Sequence, residues 1–136
     1  MLTLAIIKPD AVASSKAGIV LAHLEQAGFK VRGARMVQLS TRQAEAFYAV
    51  HKERPFFRPL VTFMTSGPCI PLALEREGAV AKLREVIGAT DPKDAAPGTV
   101  RALYAESKER NAIHASDSDE NAKREIGFFF TEAQLA

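Results

Sequence analysis

The chain has 136 residues, 47% of them apolar and 25% charged, which makes one domain able to bury about two-thirds of its unfolded surface. A net charge of +2 is too mild for a nucleic-acid binder, which concentrates positive charge on a face or in a run, although it is compatible with a local pocket for a small anion. The single cysteine, Cys69, excludes an intrachain disulfide. The first apolar segment is too short for a signal-peptide core or a membrane span, so a cytoplasmic protein without membrane partners is expected.

Leu2 to Ile7 reads as a buried strand stopped by Lys8-Pro9-Asp10. Lys8 then either carries its charge into solvent or reaches a ligand over the sheet edge. From Ala17 to Ala27 the apolar positions Ala17, Val20, Leu21, Leu24 and Ala27 share one helical face, with Gly28 placed for a left-handed cap. His23 at the edge of that stripe is structural. Phe29 to Leu39 reads as a second strand. Ser40-Thr41-Arg42-Gln43 matches a capping box that opens a helix through Val50. Tyr48 lies on it, read locally as half-buried with a wet hydroxyl.

Arg54 to Pro59 is irregular, and of Phe56 and Phe57 one can pack inward while the other offers a stacking surface. Leu60 to Thr65 reads as a short helix, Cys69 to Leu74 as a third strand, and Gly78 to Ile87 as a helix that turns Arg84 outward. Gly88 to Arg110 is a long polar stretch of the kind that is usually functional or disordered, with some strand character at Val100 to Tyr104. It leads into Asn111-Ala112-Ile113-His114-Ala115-Ser116-Asp117-Ser118. Ser118 caps a helix through Ile126, and Gly127 to Phe130 reads as an aromatic strand. Short strands interleaved with helices predict a layered α/β or α+β sandwich, of which the ferredoxin-like fold is one solution.

His114 has two local readings. It is a turn histidine ahead of a helix capped by Ser116, Asp117 and Ser118, or a neutral imidazole available as a nucleophile. No P-loop, dinucleotide loop, nucleophile elbow or zinc spacing occurs. The remaining parts are the cations Arg84 and Arg101, the hydroxyl of Thr90 and the carboxamide of Asn111. These suit a phosphate-rich ligand if they converge, because arginine forks bind phosphate oxygens bidentately.

Over nearly its whole length the chain resembles nucleoside diphosphate kinases. The resemblance rests on Ile6-Ile7-Lys8-Pro9-Asp10-Ala11-Val12, Arg54-Pro55-Phe56-Phe57, Thr65-Ser66-Gly67-Pro68, Gly88-Ala89-Thr90-Asp91-Pro92, Pro97-Gly98-Thr99-Val100-Arg101 and the His114 stretch, which in the family reads N-x-x-H-G-S-D-S. It implies a single domain over 1–136 with a ferredoxin-like antiparallel four-stranded sheet, helices packed on it, and a long loop before the catalytic histidine. It also implies ping-pong transfer of a γ-phosphoryl group between nucleoside tri- and diphosphates through phosphohistidine at His114. Glu125 and Ser116 would orient the ring, and Lys8, Tyr48 and Arg101 would hold the transferring group. Arg84 and Thr90 would grip the β-phosphate, Lys8 and Asn111 the ribose hydroxyls, and Phe56 would stack on the base. The implied cofactor is Mg2+ carried mainly by the nucleotide phosphates rather than by protein ligands, and the implied assembly is a homo-oligomer, a hexamer or tetramer.

The sequence departs from the family at several positions. Ala115 stands where glycine is usual, and a left-handed backbone there would cost about 1 kcal/mol or more, giving an active but slower site. Ala102-Leu103-Tyr104 replaces the usual Gly-Asp-Phe, Arg76 replaces a glycine, and Lys108 falls where an often aliphatic residue closes the base site, its stem able to cover the ring. The chain also stops short of the longer tail of many relatives. The alternative is a nucleotide-binding regulatory relative with impaired catalysis. A nucleic-acid module on the same fold is opposed by Phe128 to Phe130, which read as core.

Overall fold

The computed structural model describes all 136 residues. Its centre is a strand with no polar face. β1 (Leu2–Ile7) sends Leu4 and Ile6 to one side of the sheet and Ala5 and Ile7 to the other, all fully buried. A strand buried on both faces needs a continuous apolar run rather than an alternating one, which is what this stretch supplies. It pairs antiparallel with β3 (Ile70–Glu75) on one edge and β4 (Ile113–Ala115) on the other, while β2 (Lys30–Ala34) adds outside β3. The resulting order is β2-β3-β1-β4, an antiparallel four-stranded sheet with helices on both faces. This is the ferredoxin-like sandwich expected from the sequence.

On the face of Ala5 and Ile7 pack α2 (Ala17–Gln26), α5 (Ala79–Ile87) and α6 (Val100–Tyr104), through Val20, Leu24, Leu83, Ile87 and Val100. On the face of Leu4 and Ile6 pack α3 (Thr41–Phe47), α4 (Phe57–Met64) and α7 (Asp119–Phe129), through Ala44, Phe47, Val61, Met64, Ile126 and Phe129. Fully burying each large aliphatic or aromatic side chain contributes roughly 1.5–3 kcal/mol. The short α1 (Pro9–Ala13) follows β1 directly, with Pro9 in the first turn, where its missing N–H costs nothing.

Several elements differ from the sequence expectation. Gly127 to Phe130 is not a strand, because α7 runs through Phe129. Ala122, Glu125, Ile126 and Phe129 form its buried stripe, and this helical spacing outweighs the strand preference of consecutive phenylalanines. Val100 to Tyr104 is a helix, capped by Thr99 Oγ1 accepting from the N–H of Ala102 at 3.3 Å. The fourth strand is therefore the His114 stretch itself, three residues long. β2 is shorter than Phe29 to Leu39, with a register shift between Val31 and Gly33 and only an isolated bridge from Val37 to Cys69 beyond it. The Ser40 capping box is present in both directions, but its helix stops at Phe47 and a 3-10 turn over Ala49–His51 follows. α4 begins at Phe57, ahead of the expected Leu60.

Two glycines in the 88–112 connection have left-handed backbone for different reasons. Gly88 ends α5 at φ 87°, and a Cβ there would lie 2.5 Å from Thr99 Oγ1, whereas Gly98 at φ 86° faces open space. Gly98→Ala is expected to lose about 1–2 kcal/mol from backbone strain alone, and Gly88→Ala more than that, since the Thr99 cap must also move. Urea denaturation of both variants checks this, and equal losses would contradict it.

Candidate functional site

β4 lies beside β1 with Ile6 opposite His114. This register puts the imidazole on the sheet face covered by α3 and α7, because neighbouring side chains on a strand point to opposite faces and Ile113 and Ala115 belong to the other core. The ring of Phe47 meets it edge-on at 5.5 Å between centroids and that of Tyr48 at 6.0 Å, leaving the histidine side chain 19% exposed. Glu125, one turn before Phe129 on the buried stripe of α7, brings Oε1 to 2.8 Å from His114 Nε2. The hydroxyl of Ser116 donates to the same oxygen at 2.8 Å. A carboxylate only accepts, so the proton sits on Nε2 and the lone pair on Nδ1. The other carboxylate oxygen, Oε2, lies 3.6 Å from Arg124, a guanidinium that also donates to the Phe47 carbonyl at 3.4 Å.

Tyr48 ends α3 rather than lying within a longer helix, and its hydroxyl is not wet. The side chain is 5% exposed and its oxygen has no partner. Burial, followed by the nearby Cys69 and Glu125, pushes its pKa well above the ordinary phenol range, so it stays protonated and has a hydrogen to donate. Cys69 is itself pushed up to about 11 by burial and is inert packing.

A second group gathers at the end of β1. Lys8 Nζ donates to Asn111 Oδ1 at 2.8 Å, and Asn111 Nδ2 donates to the Thr90 carbonyl at 3.2 Å. Arg101 is 9% exposed and has only carbonyl partners: Ile113 at 2.6 Å, Gly88 at 3.1 Å and Asn111 at 3.4 Å. Buried cations with no carboxylate bonded to them are costly, and both respond. Burial first and Arg101 second lower Lys8 to about 8, against a smaller raising effect of Asp10, while burial and Arg84 lower Arg101 to about 10. Arg84, Thr90 and Arg101 line one cavity of about 520 Å³. Thr90 also lines a neighbouring cleft of about 420 Å³ with Lys8, Asn111, Phe63, Lys108 and the exposed Phe56. Phe57 packs inward instead, so the two adjacent rings divide as the sequence predicts.

No hydrogen bond joins His114 to these cations directly. The tie runs through the backbone, where Arg101 holds the carbonyl of Ile113, the residue before the histidine. Ala115 sits in β4, paired with Ala5, so the condition for left-handed strain is not met there. The positive φ belongs to Ala112, at 75°. Arg76 covers the Gly28 corner, lying over the ring of Phe29 and bonding the Ala27 carbonyl. Sequence reasoning missed two contacts, Arg124 to Glu125 and the buried Asp10 to the N–H of Ala112 at 3.0 Å. The only signal for the second was an acidic residue directly after Lys8-Pro9 at a strand end.

No three His, Cys, Asp or Glu side chains come together as a metal-binding group. The cavity offers guanidinium and hydroxyl donors, a set suited to phosphate oxygens. No helix is long and apolar enough to cross a membrane.

A histidine with one ring nitrogen held by a carboxylate, tied through its strand backbone to a group of buried cations that line a cavity, describes a phosphoryl-handling protein on an antiparallel α/β sandwich. The family model described as nucleoside diphosphate kinase matches residues 2–135. Proteins with that name from Desulfatibacillum aliphaticivorans (55% identical, covering 98% of this chain and 97% of the relative) and Halorhodospira halophila (61%, 98% and 94%) are similar to it. Among solved structures, the Aquifex aeolicus nucleoside diphosphate kinase superposes with a TM-score of 0.97 at 43% identity, covering 99% of this chain and 98% of that one. A halophilic nucleoside diphosphate kinase from Halobacterium salinarum, solved in complex with CDP, gives 0.95 at 37%, covering 100% and 91%. The chain belongs to the nucleoside diphosphate kinase family.

The Lys8 shift has a consequence for stability. The folded value of about 8 lies below the ordinary 10.5, so between these values the unfolded chain binds more protons and stability rises with pH; the cost of the charged form is fully present below pH 8. Lys8→Met is therefore expected to be more stable than the unaltered protein at pH 7, by up to about 3 kcal/mol. The gap should shrink toward pH 10. Urea denaturation at the two pH values measures it, and a less stable Lys8→Met protein at pH 7 would contradict it.

Proposed function

We propose that this chain transfers the γ-phosphoryl group of a nucleoside triphosphate to a nucleoside diphosphate by a ping-pong route through phosphohistidine at His114. The observation that carries the reading is the 2.8 Å contact from His114 Nε2 to Glu125, which leaves Nδ1 as the nucleophilic atom. In the first half, Nδ1 attacks the γ-phosphorus, the bond to the β,γ-bridging oxygen breaks, and the diphosphate leaves with that electron pair. The imidazolium that forms is stabilised by the Glu125 carboxylate, which Ser116 fixes in place. In the second half, a β-phosphate oxygen of another diphosphate attacks phosphorus and restores the free ring.

Such transfer passes through a loose transition state, so the protein contributes position and fixed charge rather than covalent work. Lys8, Arg101 and the unpartnered hydroxyl of Tyr48 would hold the moving group, and Arg84 and Thr90 the β-phosphate. Asn111, with Lys8, would take the ribose hydroxyls. Phe56 would stack on the base with the Lys8–Lys108 cleft closing around it, and stacking tolerates any base. Mg2+ would be held through the phosphate oxygens that Arg84, Thr90 and Arg101 grip, and when bound it neutralises phosphate charge. A homo-oligomer, hexameric or tetrameric, and a single domain over 1–136 belong to the same reading.

The regulatory-binder alternative is not favoured, since Ala115 carries no strain and every proposed group is present. Intact mass after incubation with ATP and magnesium tests the proposal. One phosphoryl group should be gained, then lost on brief acid treatment or on addition of GDP, with GTP appearing. His114→Ala should bind nucleotide yet gain nothing. Nucleotide binding without mass gain in the unaltered protein would favour the binder. Because Lys8 must carry its proton to hold the phosphoryl group, kcat/KM should fall as pH rises through about 8; a flat profile to pH 10 would remove that charge from the mechanism.

A further inference from the structure

Asp10 is a buried acid whose one hydrogen bond goes to a strained turn. It is 3% exposed, Oδ2 accepts the N–H of Ala112 at 3.0 Å, and Oδ1 has no partner. Ala112 has φ 75°, and the N–H of Ile113 donates to the carbonyl of Asn111 at 2.9 Å. Together these define a γ-turn centred on Ala112, in the rare positive-φ form that is strained for a side-chain-bearing residue. Such a turn uses the outer carbonyl and the outer N–H, leaving the central N–H without a local acceptor. Ala112 is fully buried, so that N–H needs a protein partner. Asp10 supplies it, and the N–H of Lys8 caps the Ala112 carbonyl at 2.9 Å.

The turn joins the two halves of the site. Asn111 on one side holds Lys8, while Ile113 on the other holds Arg101 and is followed by His114. A buried carboxylate with a single partner is expensive, and packing alone would be served by an apolar side chain. We propose that Asp10 is a positioning residue for phosphoryl transfer, its carboxylate clamping the Asn111–Ile113 turn so that Lys8 and Asn111 stay aligned with His114. The inference rests on His114 being the nucleophile.

The test is single-turnover phosphohistidine formation at saturating ATP and magnesium in Asp10→Asn, Ala112→Gly and the double variant. Asp10→Asn keeps an acceptor oxygen but loses the charge that strengthens its bond to the Ala112 N–H, and is expected to slow the step about 10-fold, within the range that small misplacements cost. Ala112→Gly should keep its rate. The double variant should recover most of the loss, because glycine takes positive φ without a clamp. A normal rate in Asp10→Asn, or a defect that Ala112→Gly leaves unchanged, overturns the proposal. Should Asp10→Asn alone not fold, the double variant carries the test, and its failure to fold or a rate about tenfold below Ala112→Gly overturns the clamp equally. Absence of phosphohistidine in the unaltered protein instead refutes the nucleophile reading beneath it.

Discussion

One oxygen of Glu125 receives two hydrogen bonds, from His114 Nε2 and from the Ser116 hydroxyl, each at 2.8 Å. This shared acceptor is the constraint on which the site depends, because it decides which ring nitrogen keeps the proton. It requires three elements to agree. The β1–β4 register must turn His114 toward α7, the buried stripe of α7 must place Glu125 inward beside Ile126, and the chain must reverse at Ser118 within a few residues of β4. A carboxylate on the buried face of a helix is an expense of the fold, offset by two donors and the nearby Arg124. The β1 strand, apolar on both faces, is what gives the histidine strand, although it lies at the sheet edge, a core to sit against.

The phosphate side follows a different logic. Lys8 and Arg101 are buried with carbonyl and carboxamide partners instead of carboxylates, and both are lowered mainly by burial. Neutralising partners would stabilise the empty protein but would compete with an anionic ligand. Positive charge left uncompensated on buried side chains is worth more to a polyphosphate than the same charge in water. Stability is thus given up at the positions where charge is needed, a common conflict at sites of this kind. Asp10 is the exception. It brings negative charge near Lys8, yet its bond is committed to the backbone of the turn at Ala112.

Much of this was legible in the sequence. Apolar β1, the Ser40 capping box, the division of labour between Phe56 and Phe57 and the His114–Ser118 stretch all carry local signals that the structure keeps. The failures have physical causes. Phe128 to Phe130 favours strand locally, but Glu125 and Phe129 must lie on one face of α7, and that tertiary requirement decides the element. Val100 to Tyr104 is apolar and β-prone at its ends, but the Thr99 cap and the contact of Val100 with the α5 side of the core make it a helix. Ile113 to Ala115 is too short for periodicity to reveal a strand. The glycine usual at the position of Ala115 raises the question of a left-handed backbone there, whereas the positive φ sits three residues earlier at Ala112, which no composition rule marks. Long-range partners were invisible for the same reason: Asp10 and Ala112 are 102 positions apart.

Which ring nitrogen of His114 carries the phosphoryl group can be read directly. The protein would be prepared with 15N-labelled histidine, phosphorylated with ATP and magnesium, and examined by NMR for coupling between phosphorus and each ring nitrogen. With Nε2 engaged by Glu125, phosphorus is expected on Nδ1 of His114 and a proton on Nε2. Phosphorus on Nε2, or on any residue other than His114, would contradict that expectation.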